Sequence, residues 1–102
     1  MNSITLHDNR AGNRYELLVQ GTLVARAEYK ALAGKLVFTH TELAPGNDGR
    51  GYGSEIARLA LDDARSRGLS VVPACGFIAH YIVKHPQYAD LVAAQDRAYL
   101  GN

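Results

Sequence analysis

The cluster Pro45-Gly46-Asn47-Asp48-Gly49 splits the chain into two parts whose apolar residues repeat with different periods. Residues that neither extend a helix nor sit inside a strand are concentrated there, so one kind of element must end and another begin. Ahead of the cluster the period is two, and beyond it the period is that of a helix.

In the first part Tyr15, Leu17 and Val19 alternate with Arg14, Glu16, Leu18 and Gln20, and Gly21-Thr22 offers a turn. Leu23, Ala25, Ala27, Tyr29 and Ala31 then recur at every second position, with Val24, Arg26, Glu28 and Lys30 facing the other way. Ala33-Gly34-Lys35 supplies the next turn. On strict alternation Leu36, Phe38, His40 and Glu42 share one side of the following strand, and Val37, Thr39, Thr41 and Leu43 the other. With a short leading strand from Ile4 to His7 this makes three or four strands, and turns so short require antiparallel neighbours.

In the second part Ile56, Leu59, Ala60 and Ala64 form a helical stripe widened by Ala57 and Leu61. Glu55, Arg58, Asp62, Asp63, Arg65 and Arg67 fill the other side, the mixed charges of a solvated helix face. Gly68 is placed to stop the helix. Leu69 to Val72 reads as a short strand and Gly76 to Lys84 as a second helix, which ends before Pro86 because a residue preceding proline is pushed out of helical geometry. Tyr88, Leu91, Val92, Gln95 and Tyr99 predict a frayed terminal helix. Strands, helix, strand and helix in that order give an α+β fold, a sheet packed by two or three helices.

The 102 residues, 47% apolar, suit one domain with one modest core. Eleven Lys and Arg against ten Asp and Glu leave a net charge of +1, too little field to select nucleic acid or anionic lipid. No apolar run reaches the roughly 18 residues of a membrane span. Cys75 has no second cysteine to pair with, and the amino-terminal residues lack the basic-then-apolar layout of a secretory signal. The expectation is a cytoplasmic protein, monomeric or weakly dimeric, without a membrane or nucleic-acid partner. The four histidines and one thiol show no metal-ligand spacing.

Asp48-Gly49-Arg50-Gly51-Tyr52-Gly53 lies between a strand and an amphipathic helix. First-turn amides of a helix have no intrahelical partner, the helix dipole favours negative charge, and glycines let the backbone approach a bulky anion. A pyrophosphate fits such a turn, and Arg50 offers a forked contact. A tight loop that simply needs positive φ explains the same glycines. A nucleoside-triphosphatase loop is set aside because Gly53-Ser54-Glu55 lacks the lysine, and a dinucleotide fold because the turn follows an antiparallel meander.

Gly51 and Gly53 match the glycines of the Gln/Arg-x-x-Gly-x-Gly/Ala turn, with Asp48 standing where Gln or Arg is usual. Together with His40-Thr41-Glu42-Leu43, Val72-Pro73-Ala74-Cys75-Gly76-Phe77, Tyr81-Ile82, His85-Pro86-Gln87-Tyr88 and Asp90-Leu91-Val92, the chain resembles the short, single-domain members of the GNAT superfamily of acyl-CoA-dependent N-acetyltransferases. The resemblance implies one domain over residues 1–102, with a mixed, mostly antiparallel sheet whose central strands splay apart. It implies acetyl-CoA as cofactor, wedged between the strands of Leu36 to Leu43 and Leu69 to Pro73. Thr41, Leu43, Gly49, Arg50, Gly51, Tyr52 and Gly53 are then the cofactor-binding residues, and the thioester lies near His40, Glu42 and Cys75. Members this small lack the amino-terminal helices that shape the acceptor pocket in longer relatives, so the amine acceptor stays unidentified.

Amine acetylation needs a base for the amine, donors for the developing oxyanion and an acid for the departing thiolate. Strand amides from Thr41 to Leu43 are candidates for the oxyanion, His40 or Glu42 for the base, and Tyr81 for the acid. Cys75, at a strand-to-helix junction, is a candidate nucleophile or equally a small core residue. His40 is a base or a hydrogen-bonded, semi-buried side chain, and His85 caps a helix end. Tyr15, Tyr29, Tyr52, Tyr88 and Tyr99 read as packing residues. The expected function is acetyl-CoA-dependent N-acetyl transfer, directly or through Cys75. A non-catalytic acyl-CoA-binding module, a sensor or escort, is the alternative, and a small interaction domain without a ligand comes third.

Overall fold

A computed structural model describes residues 3–101 of the chain. Strands β1 (Ile4–Asn9), β2 (Arg14–Val19), β3 (Thr22–Leu32) and β4 (Lys35–Leu43) come first, then helix α1 (Tyr52–Ser66), strand β5 (Ser70–Pro73) and helix α2 (Gly76–Lys84). Two 3-10 segments, Pro86–Leu91 and Ala94–Leu100, follow. The five strands lie side by side in sequence order, antiparallel from β1 to β4 and parallel between β4 and β5. This is the expected α+β architecture. The parallel pairing ends at Phe38 opposite Pro73, so Thr39 to Leu43 continue with no strand beside them on that edge.

The turns follow from local chemistry. Val19 opposite Thr22 closes the β2–β3 hairpin around Gln20-Gly21, with φ of 51° and 81°, the mirror-image two-residue turn that matches strand twist. It falls one residue earlier than the sequence suggests. Gly68, at φ 67°, ends α1 as expected: its amide donates to Arg65 O at 3.1 Å and the Leu69 amide to Ala64 O at 2.9 Å, which satisfies two orphan carbonyls.

One face of the sheet carries the core. Tyr15, Leu17, Ala25, Ala27, Tyr29, Leu36, Phe38 and Val71 are buried against Ile56, Ala60, Leu61 and Ala64 of α1 and Ile78 and Ile82 of α2. Tyr15, Tyr29 and Phe38 form a ring cluster with centroids 5.3 to 6.3 Å apart. Three of the buried phenols find a carboxylate: the Tyr15 hydroxyl donates to Asp63 at 2.6 Å, Tyr88 to Asp62 at 2.8 Å, and Tyr29 to Asp8. Asp62 and Asp63 are thus anchors for core tyrosines, where the sequence reads them only as a solvated face.

The other face contributes two cross-strand rows, His7–Glu16–Arg26–Glu42 and Asn9–Arg14–Glu28–His40. Acid and base alternate within and between them, and Arg14–Glu16 at 2.7 Å and Arg26–Glu28 at 2.9 Å pair along their own strands. Opposite charges facing one another support a sheet surface that no apolar layer covers.

The second row is completed by a β-bulge. Tyr29 opposes Phe38 but Glu28 opposes His40, leaving Thr39 as the extra residue. One inserted residue reverses the facing of everything beyond it. His40 and Glu42 therefore do not share the side of Leu36 and Phe38, as strict alternation predicts. They lie on the charged face, while Thr41 and Leu43, opposite buried Ala27 and Ala25, turn to the helix side. The expected terminal helix is likewise divided. Val92 is extended (φ −95°, ψ 117°) and takes its side chain into the core between the two 3-10 segments. No described helix is long and apolar enough to cross a membrane.

Candidate functional site

The glycine turn leaves α1 with an unusually open start. Gly49 and Gly51 hold φ of 77° and 78°, a conformation that strains any other residue, and Gly51 sits at the N-cap position without a side-chain cap. The Glu55 backbone amide donates to Gly51 O at 3.1 Å, the first bond of the helix. Asp48-Gly49 form a turn that draws the Arg50 amide toward Asn47 O, while among the described residues the amides of Gly49, Gly51, Tyr52, Gly53 and Ser54 have no hydrogen bond within the chain. Asn47 braces the loop from behind, its side-chain amide donating to Ala44 O at 3.1 Å and Pro45 O at 3.2 Å. Gly53 has a packing reason as well: a Cβ there would come within 2.9 Å of the Phe77 ring.

The start of α1 borders a cleft of 340 Å³ whose walls include Arg50, Gly51, Tyr52, Ser54, Tyr81 and His85. A second hollow of 210 Å³ adjoins it through Ser54, Tyr81 and His85 and adds Phe77, His80 and Lys84. Arg50 makes no ion pair among the described residues, and Arg58, also in the wall, is held by Glu55 at 2.7 Å. The cleft thus combines open amides, the dipole of a 15-residue helix and cationic side chains, the surroundings a diphosphate needs.

The second part of the site is the gap between β4 and β5. The Ala44 amide donates to Val24 O of β3 at 2.9 Å, so by alternation the backbone groups of Leu43 and Thr41 point away from β3, into the open edge. Cys75, the N-cap residue of α2, is buried on the far side of this gap. Its sulfur lies 3.4 Å from Thr41 Oγ1.

Tyr81 is buried about two helical turns further on, and desolvation holds its hydroxyl above the ordinary phenol range, so it remains a proton donor at neutral pH. Its ring stacks on His85, with centroids 4.0 Å apart. His85 Nδ1 donates to Tyr81 O at 2.9 Å, which caps α2 as expected and leaves Nε2 without that proton.

The third part occupies the charged face. His40 Nε2 meets Glu42 Oε1 at 2.9 Å, and Glu42 Oε2 meets Arg26 at 3.2 Å. The hydrogen bond from His40, then the Arg26 charge, hold the Glu42 carboxyl below the usual carboxylate range.

The fold therefore joins Thr41 to Cys75, His40 to Glu42, and Arg50 through Gly53 to Tyr81. It sets the His40–Glu42 pair on the opposite face of β4 from Cys75 and Tyr81. Sequence reasoning missed Arg26, Phe77 and His85 as neighbours of the site. Arg26 alone left a signal, since a period-two strand puts it on the same face as Glu28, but its meeting with Glu42 depends on strand register.

No curated protein matches the chain. The family model for the GCN5-related N-acetyl-transferase matches residues 14–91, from the first residue of β2 to the last of the Pro86–Leu91 segment. That span takes in the open helix start and the gap beside β4 together, and the chain belongs to the GCN5-related N-acetyltransferase family.

Proposed function

We propose that the protein is an acetyl-CoA-dependent N-acetyltransferase that moves an acetyl group to an amine. Membership of the family supports acyl transfer. The observation that carries the cofactor is the set of unpartnered amides of Gly51, Tyr52 and Ser54 in the wall of the cleft. Arg50, Gly51, Tyr52 and Gly53 bind the diphosphate through the backbone, with Arg50 adding a charge-assisted contact. Thr41 and Leu43 offer their backbone groups to the amide-bearing arm, as a missing neighbour strand would accept them.

When bound, acetyl-CoA supplies an acyl group already activated as a thioester. The residues beside the gap do the rest. An amine attacks only after losing its proton, which His40 or Glu42 accepts on the charged face. Strand amides at Thr41 to Leu43 stabilise the negative charge that develops on the carbonyl oxygen. Tyr81, kept protonated by burial, gives its proton to the departing thiolate and recovers one from water. Transfer is either direct or by way of Cys75. In the second case Cys75 Sγ takes the acyl group, its proton passes to the departing thiolate, and the amine then regenerates the thiol.

Titration calorimetry with acetyl-CoA and with free CoA tests the cofactor: absence of binding to both removes the proposal. Amine-dependent release of thiol then separates an enzyme from a module that only holds acyl-CoA. Intact mass after exposure to acetyl-CoA, in the wild type and in Cys75→Ala, distinguishes the two routes. A gain of one acetyl group that vanishes in the variant, together with lost turnover, supports transfer through Cys75.

A further inference from the structure

The proposed reaction leaves two candidates, His40 and Glu42, for one proton, and their geometry assigns them different tasks. The Glu42 carboxylate is divided: Oε1 lies 2.9 Å from His40 Nε2, and Oε2 lies 3.2 Å from an Arg26 guanidinium nitrogen. An ionised carboxylate only accepts, so Nε2 carries the imidazole proton toward Glu42 and Nδ1 keeps its lone pair. Arg26 is itself fixed from a second side, its Nε donating to Glu28 at 2.9 Å. Glu28 stands opposite His40, and Arg26 opposite Glu42, so three contacts run in series through four side chains of two paired strands, from Glu28 through Arg26 and Glu42 to His40.

We infer that Arg26 is a positioning residue for the reaction: by holding one oxygen of Glu42 it fixes the other against His40 Nε2 and leaves Nδ1 as the atom that takes the acceptor's proton. The inference rests on the proposed acetyl transfer. Glu42 then orients and does not accept the proton. The arrangement repeats a general logic, in which a base is oriented by a carboxylate and the carboxylate by a further partner. The fork of arginine suits the task, because it grips two carboxylates in fixed directions where an ammonium would act as a point charge.

The test uses the whole chain with imidazole nitrogens labelled, and Arg26→Met and Arg26→Lys as variants. In the wild type above the imidazole titration, the His40 nitrogen shifts report a proton on Nε2. In Arg26→Met the shifts move to those of mixed tautomers, and kcat for amine-dependent thiol release falls roughly tenfold, a fraction of what a general base contributes. KM for acetyl-CoA stays unchanged, and Arg26→Lys regains part of both signals. Unaltered tautomer shifts in Arg26→Met overturn the inference, whatever happens to the rate. A wild type that releases no thiol with any amine defeats the proposed reaction instead, and the tautomer measurement still decides what Arg26 does.

Discussion

The two faces of this sheet are built from the same strands and are held together differently. On the helix side, Tyr15, Leu17, Ala27, Leu36 and Phe38 exclude water against α1 and α2, and the phenols of Tyr15, Tyr29 and Tyr88 enter tied to Asp63, Asp8 and Asp62. On the charged side, Arg14, Glu16, Arg26, Glu28, His40 and Glu42 alternate in sign and keep contact with water. Apolar burial supplies most of the stability of a domain this small, whereas partly exposed ion pairs contribute little. A face that costs little to alter is free to carry reactive groups. The candidate base lies on that face, and the candidate thiol and acid lie on the stabilising one.

Phe38→Ala is the strongest way to probe the difference. It removes a fully buried ring from the Tyr15–Tyr29 cluster and is expected to cost roughly 3–5 kcal/mol in urea unfolding. A loss below 1 kcal/mol would mean that the helix side does not dominate.

His40→Ala comes next. It removes the candidate base from the charged face without touching the core, and amine-dependent thiol release is expected to fall by about 100-fold, the lower range of a general base's contribution, while urea unfolding barely changes. Full activity in the variant would free the base from the charged face.

Alkaline titration separates the faces without mutation. Burial first, then the Asp8 and Asp62 carboxylates, raise Tyr29 and Tyr88 from 10.0 to about 12, and burial likewise raises Tyr15. The folded chain holds these protons while the unfolded chain releases them. Stability is therefore unaffected below the unfolded value and falls as pH rises from 10 to 12, by about 2 kcal/mol per tyrosine. Phenolate absorbance recorded with unfolding checks this, and would contradict it by showing all phenols ionised near pH 10 in a folded chain.

The smallest effect belongs to the charged face. The Asn9 side-chain amide, 3.1 Å from Glu16, and then Arg14 hold the Glu16 carboxyl below its ordinary value of 4.5. The stabilisation is present above that value and disappears as pH falls through the lower folded one. Glu16→Gln is expected to cost up to about 1 kcal/mol near neutrality and nothing at acid pH. A cost that persists at low pH would assign Glu16 a packing role.

Local pattern determined a good deal of this protein. Alternation along Arg14 to Val19 marks a strand, the breaker cluster marks the change to helix, Gly76 to Lys84 is a helix in sequence and structure alike, and the glycines at 49, 51 and 53 announce the open start of α1. Each is legible because near neighbours in the chain decide it: side-chain direction, helix period and the steric freedom of glycine act over a few residues. What faces what is a different matter. The bulge at Thr39 arises from the fit of β4 to β3, and it alone sends His40 and Glu42 to the charged side and turns Thr41 toward Cys75. The same holds for Tyr15 with Asp63 and for Arg26 between Glu28 and Glu42. These meetings depend on register and helix placement, which are fixed only when residues distant in sequence pack together.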